Sequence, residues 1–110
     1  MIQKGIAEAR GLADAAVEAS PRDFSAHLSR GSILTTLVIA GVTEIGSDAM
    51  SSFKKAQNLS PTRPDISYLQ AVLSNALGST TEAVSYATEA LRRKPDYEPA
   101  SALLKNLEAR

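Results

Sequence analysis

Apolar residues recur along this chain at intervals of three and four, the period of an α-helix, and no segment shows the strict alternation of a β-strand. Most of these helical stretches end beside a proline or a glycine. Prolines disfavour helical geometry in the residue before them, and glycines serve as C-terminal caps. The pattern therefore predicts an all-α chain of six helices. They cover approximately residues 2–19, 24–40, 47–59, 65–77, 80–94 and 99–107.

A few positions at helix ends and inside helices carry specific expectations. Short side chains with an oxygen atom accept hydrogen bonds from the first free N–H groups of a helix. Asp23 is therefore a candidate N-cap of the second helix, and Asp65 of the fourth. Ser47 or Asp48 suits the third helix. Gly31 lies inside the second helix, where it costs about 1 kcal/mol relative to alanine, so we expect a neighbouring backbone to come very close to it.

The second half of the chain contains a unit that repeats. Pro61 and Pro95 are 34 residues apart, and each is preceded by small or apolar residues at distances of 12, 8 and 5. A fixed period between about 20 and 50 residues is typical of a stacked repeat. The matching residues are Ala49, Phe53 and Ala56 before Pro61, and Ala83, Ala87 and Ala90 before Pro95.

The spacing within this unit resembles the tetratricopeptide repeat (TPR), a helix–turn–helix unit of about 34 residues. Gly78 lies at the turn between the two helices, and Pro95 lies at the end of the second. Ala71, Ala83 and Ala90 are small enough for the helices to cross closely. The resemblance implies a TPR-like, right-handed solenoid of about six antiparallel helices.

The resemblance covers nearly the whole chain and implies a single TPR-like domain over residues 1–110. Pro21 and Pro61 are 40 residues apart, so the middle repeat is longer than the regular one, and we place the insert at residues 38–46. This long repeat is also similar to the TPR tails of bacterial membrane proteins of the O-antigen ligase/polymerase type. The four predicted parts are an unpaired helix at 1–21, a lengthened repeat at 22–61, a regular repeat at 62–95 and a capping helix at 96–110.

Composition and charge exclude several classes of partner. The chain has 12 Lys and Arg against 12 Asp and Glu, and a nucleic-acid surface needs a basic excess, so we expect no nucleic-acid partner. It has no cysteine, which excludes disulfides and thiolate metal sites. The longest apolar run, residues 37–40, is far shorter than the roughly 18 residues of a membrane span. We therefore expect no direct membrane insertion. The sequence leaves the compartment open, and a cytoplasmic domain and a part of a membrane-protein chain both fit.

Few residues suit catalysis. His27 is the only histidine, and the only acid near it in sequence is Asp23, one helical turn earlier. A general base needs a nucleophile or an orienting acid, and a metal needs further ligands. No serine lies in a Gly-x-Ser-x-Gly motif, and no phosphate-binding Gly-Lys-Ser/Thr follows residues 41–46. We expect no catalytic residue, no metal and no cofactor, and we interpret His27 as a packed helix residue.

The TPR resemblance implies a concave groove, lined by the first helix of each repeat, that binds an extended or helical segment of another protein. The corresponding positions hold no Lys or Arg, which disfavours the chaperone tails that other TPR domains grip by their carboxylates. Tyr68 and Asn75 offer the best contacts, because tyrosine supplies area and a hydroxyl and an amide bonds a peptide backbone. The groove positions are Ser25, Leu28, Ser32, Thr35, Asp65, Tyr68, Val72, Asn75, Ala102 and Asn106.

The sequence therefore predicts a non-catalytic scaffold for protein–protein interaction, with a protein or peptide as partner. One alternative is homo-oligomerisation through the N-terminal helix, whose apolar face has no repeat partner in this sequence. A second alternative is a TPR appendage of a membrane protein that polymerises glycans.

Overall fold

The structure is a computed structural model that describes residues 2–109, with side chains from residue 7 onward. The outer limits of the predicted domain, Met1 and Arg110, lie outside the described residues. Residues 2–109 form six α-helices, a single turn of 3-10 helix and no strand, so the all-α prediction is confirmed. The helices are α1 (Ile2–Ala19), α2 (Phe24–Ile39), α3 (Gly46–Leu59), α4 (Pro64–Ala76), α5 (Thr80–Arg93) and α6 (Glu98–Glu108).

The chain divides into two compact units between Pro61 and Thr62. The first unit contains α1 to α3, and α2 packs against both α1 and α3. The second unit contains α4 to α6, and α5 packs against both α4 and α6. The single domain over residues 1–110 stays a prediction.

The core of the first unit consists of small and branched side chains around one large ring. Phe53 of α3 is fully buried, and its ring lies against Gly31 of α2. A Cβ atom at Gly31 would be 2.6 Å from Cε1 of Phe53. The close approach at Gly31 is confirmed, but the expected backbone neighbour was wrong, because an aromatic ring fills the space. The other buried apolar residues are Ala13, Leu34, Val38, Ile45, Ala49 and Ala56.

The connection between α2 and α3 contains two local structures. Gly41 has a φ of 113°, and the N–H groups of Gly41 and Val42 donate to carbonyls in the last turn of α2, which forms a Schellman cap. A turn of 3-10 helix then leads directly into α3 at Gly46, with no side-chain cap. The prediction that Ser47 or Asp48 caps α3 was therefore wrong, because the helix begins before either residue.

The second unit has a matching cap at the end of α4. Gly78 has a φ of 82°, its N–H donates to the carbonyl of Asn75 at 3.0 Å, and the N–H of Ser79 donates to that of Ser74 at 2.9 Å. This Schellman geometry confirms the predicted role of Gly78. Small residues then let the helices pack closely. The fully buried apolar residues of this unit are Ile66, Ala71, Leu73, Ala83, Ala87, Ala90 and Ala100.

The start of α4 differs from the expectation. Pro64 occupies the first turn, where its missing N–H needs no partner. Asp65 therefore lies inside the helix, and the prediction that it caps the helix was wrong. Arg63 stands at the N-cap position and makes no side-chain capping bond.

The buried side of α4 carries polar residues that the apolar pattern does not reveal. Ser67, Gln70 and Ser74 are at most 1% exposed, and their spacing of three and four residues puts them on one face. Leu77, which the pattern placed inward, is 38% exposed. The apolar stripe of α4 is therefore only part of what this helix buries.

Candidate partner-binding surface

In the first unit, the predicted groove positions follow one side of α2 at spacings of three and four residues. Ser25 is exposed, and Leu28 and Ser32 are half-buried. The carboxylate of Asp23 accepts hydrogen bonds from the backbone N–H and the hydroxyl of Ser25, at 3.0 and 2.8 Å, so its predicted role as N-cap is confirmed. Thr35 is only 4% exposed, and its hydroxyl donates to the carbonyl four residues earlier. It therefore offers a partner little surface.

In the second unit, the predicted positions form a row on α4 that is half-buried along its whole length. The residues stand three, four and three positions apart, so they lie on one side of the helix. On α6, Ala102 and Asn106 are exposed. The row on α4 consists of Asp65, Tyr68, Val72 and Asn75.

Tyr68 meets a second aromatic side chain at the start of α6. Tyr97 is the residue directly before α6, and its ring centroid lies 6.0 Å from that of Tyr68, with 72° between the ring planes. This edge-to-face arrangement is one that the charge distribution of aromatic rings favours. Both side chains are half-buried. The row on α4 thus continues as an aromatic pair toward α6.

A charge pair lies at the beginning of the same row. The guanidinium of Arg63 donates two parallel hydrogen bonds to the carboxylate of Asp65, from Nε to Oδ1 at 3.0 Å and from Nη2 to Oδ2 at 2.8 Å. These bonds hold the pKa of Asp65 below its usual range, although partial burial opposes the shift. The pKa of Arg63 is raised by the same bonds. The two groups are therefore charged and neutralise one another.

Tyr97 was not among the predicted groove residues. Burial raises the pKa of its hydroxyl, and the negative charge of Asp65 adds to the shift. Tyr97 approaches Tyr68 because α6 contacts α4, and no local pattern in the sequence indicates that contact. Arg63 was also missed, although its position two residues before Asp65 was a usable signal for an ion pair.

A cleft of about 420 Å³ lies in the first unit, at the ends of α1 and α3 and the start of α2. His27 is 5% exposed in its wall, and its Nε2–H donates to the carbonyl of Pro21 at 2.6 Å. His27 is thus a packed, hydrogen-bonded residue, as the sequence indicated. Among the described residues, no group of three His, Cys, Asp or Glu side chains is placed to hold a metal. The cleft is lined by Val17, Pro21, His27, Lys55, Asn58 and Leu59.

Charged side chains join the three helices of the first unit. Asp14 of α1 accepts a hydrogen bond of 2.7 Å from Nε of Arg30 in α2, and Arg30 also donates to the hydroxyl of Ser52 in α3. Arg10 of α1 forms an ion pair with Asp48 of α3. These groups hold α1 onto the rest of the unit. No helix within residues 2–109 has the length and apolar character needed to cross a membrane.

No protein-family model matches this sequence, and no curated protein matches it significantly. Among solved structures, the chain is similar to a thermophilic TPR protein of Thermus thermophilus, with a TM-score of 0.81 over 98% of this chain at 22% identity. The chain spans about half of that protein's length, 52%. At this identity the likeness concerns the fold, and it confirms the TPR-like, all-α fold that the spacing of Gly78 and Pro95 indicates. The narrower resemblance to TPR tails of O-antigen ligases stays a prediction.

Proposed function

We propose that this chain, which has the TPR fold, is a non-catalytic scaffold that binds a segment of another protein on the exposed side of α4 in the second unit. The TPR fold by itself supports protein interaction in general. The assignment of particular contact residues is our proposal. The observation that carries the proposal is the half-buried row on α4, in which Tyr68 and Asn75 stand about two helical turns apart.

Two properties of this row favour binding over a purely structural role. Its side chains are only half-buried, and the core of the second unit is supplied by other residues, chiefly alanines. Tyr68 offers a rigid apolar ring with a hydroxyl, which suits a contact that excludes water at the ring and forms a hydrogen bond at the hydroxyl. The Asn75 amide has donor and acceptor positions that match a peptide group.

The first unit has a smaller and more polar surface of its own. Ser25, Leu28 and Ser32 are accessible on α2, whereas Thr35 is buried. On α6, Asn106 is exposed and extends the set. We assign the main contact to α4, because the α2 positions lack an aromatic anchor of the kind that dominates most interfaces.

The charge of these positions restricts the partner. Arg63 beside the row is engaged by Asp65, and none of the row positions is Lys or Arg. A partner that is held by its terminal carboxylate needs cations in the groove, so that class is disfavoured. The equal numbers of acidic and basic residues likewise disfavour nucleic acid.

The test is a selection of binding peptides from a random library, followed by calorimetric titration of the best peptides against variants. We expect Tyr68→Ala to weaken binding by about tenfold or more and Asn75→Ala by a smaller factor, as for a central aromatic anchor and a polar neighbour. Tyr86→Ala is the matched control, because Tyr86 is a half-buried tyrosine on α5. Equal losses in Tyr68→Ala and Tyr86→Ala, or no loss in either, would contradict the proposal.

A second candidate function is self-association through α1. Leu12 on α1 is 73% exposed, the most exposed of the large apolar side chains within the described residues. A single exposed leucine is ordinary on a protein surface, so this observation favours the alternative less than Tyr68 favours partner binding.

A further inference from the structure

The tyrosine pair of the second unit lies beside two opposite charges. Tyr68 and Tyr97 meet edge to face with centroids 6.0 Å apart. Arg63 and Asp65 are joined by two hydrogen bonds, and their fields act on Tyr97 with opposite signs. Asp65 acts on Tyr97 more strongly than Arg63 does, but the two groups oppose one another, so a ligand of either charge gains little net attraction from the pair. The Tyr68–Tyr97 surface, formed by these two rings, therefore favours an uncharged segment.

The spacing along α4 distinguishes between two kinds of extended peptide. Asn75 follows Tyr68 by seven residues, which at 1.5 Å per residue is about 10 Å along the same side of the helix. In a polyproline II segment, three residues advance about 9 Å and return to the same face. In a β-strand, residues on one face recur at about 7 and 13 Å. The distance from Tyr68 to Asn75 thus matches one turn of polyproline II.

We propose that the Tyr68–Tyr97 surface binds an uncharged, proline-rich segment in the polyproline II conformation, with Asn75 contacting the residue one turn further along. This inference rests on the proposed function and names its partner class. Proline rings pack on tyrosine rings, and the polyproline II backbone makes no internal hydrogen bonds, so its carbonyls accept bonds from the tyrosine hydroxyls. The segment is extended before it binds, so little conformational entropy is lost.

The probe is an all-proline peptide with blocked ends, titrated into the isotopically labelled chain and followed by NMR. Two uncharged peptides of the same length, one of Gly and Ser and one of Thr and Ser, are the controls. We expect the all-proline peptide to shift amide signals of residues 65–75 and of the start of α6, and the controls to shift none. The affinity should not change with salt, since no charge is involved in the contact.

Variants locate the contact. We expect Tyr68→Ala to weaken binding of the all-proline peptide by about tenfold, and Tyr97→Phe, which keeps the ring and loses the hydroxyl, by about threefold. Tyr86→Ala should leave the affinity unchanged. Circular dichroism and the dispersion of the NMR spectrum check that each variant is folded. An affinity that Tyr68→Ala does not change overturns the inference.

The outcomes separate this inference from the proposed function. If the random library yields peptides without proline whose binding depends on Tyr68, and the all-proline peptide shifts nothing, the polyproline assignment is wrong and the interaction surface stands. A lysine-containing peptide that binds more tightly than the all-proline one, and that salt weakens, overturns the assignment in the same way. If no peptide depends on Tyr68, both proposals are wrong.

Discussion

At the scale of single residues, Gly31 shows how a long-range contact selects an amino acid inside a helix. A glycine there is unfavourable for α2 by about 1 kcal/mol relative to alanine. The ring of Phe53 leaves no room for a methyl group, since three of its carbon atoms lie within 3.0 Å of where a Cβ atom would be. Packing in the first unit therefore outweighs the local preference of the helix.

Because of this contact, we expect two similar glycine-to-alanine substitutions to change the free energy of unfolding in opposite directions. We expect Gly31→Ala to lower the free energy of unfolding by about 1–2 kcal/mol, because overpacking a buried ring costs more than the gain in helix propensity. Gly11→Ala, in α1, should raise it by up to about 1 kcal/mol, since nothing lies within 4 Å of a Cβ atom there. Urea denaturation of both variants measures the difference. An increase in the free energy of unfolding for both variants would show that the ring of Phe53 moves aside without cost.

A second prediction at this scale concerns the hydroxyl of Tyr97. Its pKa is raised above 10.0 by burial and, to a smaller extent, by Asp65. Folding therefore favours the neutral phenol. The stabilisation is fully present below pH 10 and is lost as the pH rises through the raised pKa. The difference in tyrosine absorbance between the native chain and Tyr97→Phe reports the ionisation of Tyr97. We expect this ionisation to occur above pH 10.

Asp65→Asn provides the control for this titration. It removes the negative charge beside Tyr97 and leaves Arg63 unopposed, and both changes favour the phenolate. The pKa of Tyr97 should therefore fall but stay above the value in denaturant, because burial, the largest cause, remains. A Tyr97 that titrates alike in the native and denatured chains would refute the prediction.

At the scale of elements, α1 is attached differently from the other helices. Among its described side chains, only Ala13 is fully buried, at 2% exposure. Besides its packing against α2, it is joined to the unit by two ion pairs, from Asp14 to Arg30 of α2 and from Arg10 to Asp48 of α3. These carboxylates are 45% exposed, so each pair contributes well under 1 kcal/mol and is sensitive to salt.

We therefore expect α1 to loosen at high salt before the rest of the first unit does. Hydrogen exchange of residues 7–19 should speed up by roughly three- to tenfold between low salt and about 1 M salt, where the Debye length is near 3 Å. Asp14→Asn should produce a similar change at low salt. The control is the pair of Glu89 with Arg92, which lies within α5 and joins no two helices. Exchange in α1 that does not depend on salt would contradict this view.

At the scale of the whole molecule, the neutral charge balance bears on self-association. The isoelectric point is about 6.6, and proteins with little net charge tend to associate without specific contacts. Measurements of oligomeric state therefore need a pH well above that value. Specific association through α1 would persist there, whereas association that results from low net charge would not.

We expect the chain to sediment as a monomer of 11.6 kDa over a wide range of concentration at such a pH. If it forms a dimer instead, Leu12→Glu tests α1 as the interface, because a charge placed at an exposed apolar contact opposes association. Leu77→Glu, at a less exposed leucine directly after α4, is the control. A dimer that Leu12→Glu dissociates and Leu77→Glu does not would establish the second candidate function.

The accuracy of the sequence-based predictions followed the range of the interactions involved. The caps formed by Asp23 and Gly78 were predicted correctly, because each depends on the conformation of a few adjacent residues. The cap expected from Asp48 was wrong. A turn of 3-10 helix starts α3 earlier, and the carboxylate of Asp48 bonds to Arg10 instead. Residues that have several available partners are therefore the ones that local rules misplace.

The residues of the candidate site show the same difference between local and long-range interactions. The positions from Asp65 to Asn75 are implied by the TPR resemblance, and helical periodicity puts them on one side of α4, since residues three and four apart share a side of any helix. The burial of Thr35 and the position of Tyr97 against Tyr68 depend on which helices pack together. The two ends of such a contact are far apart in sequence, and no periodic pattern connects them.

Periodicity and helix-ending residues were enough to predict six helices, their approximate limits and the repeat between Pro61 and Pro95, because backbone preferences act over a few residues. The tertiary structure decided which side chains of each helix are covered. It buried Ser67 and Ser74 on α4 while Leu77 stayed exposed. Burial depends on the shape and position of the neighbouring helix, which a single helix does not encode.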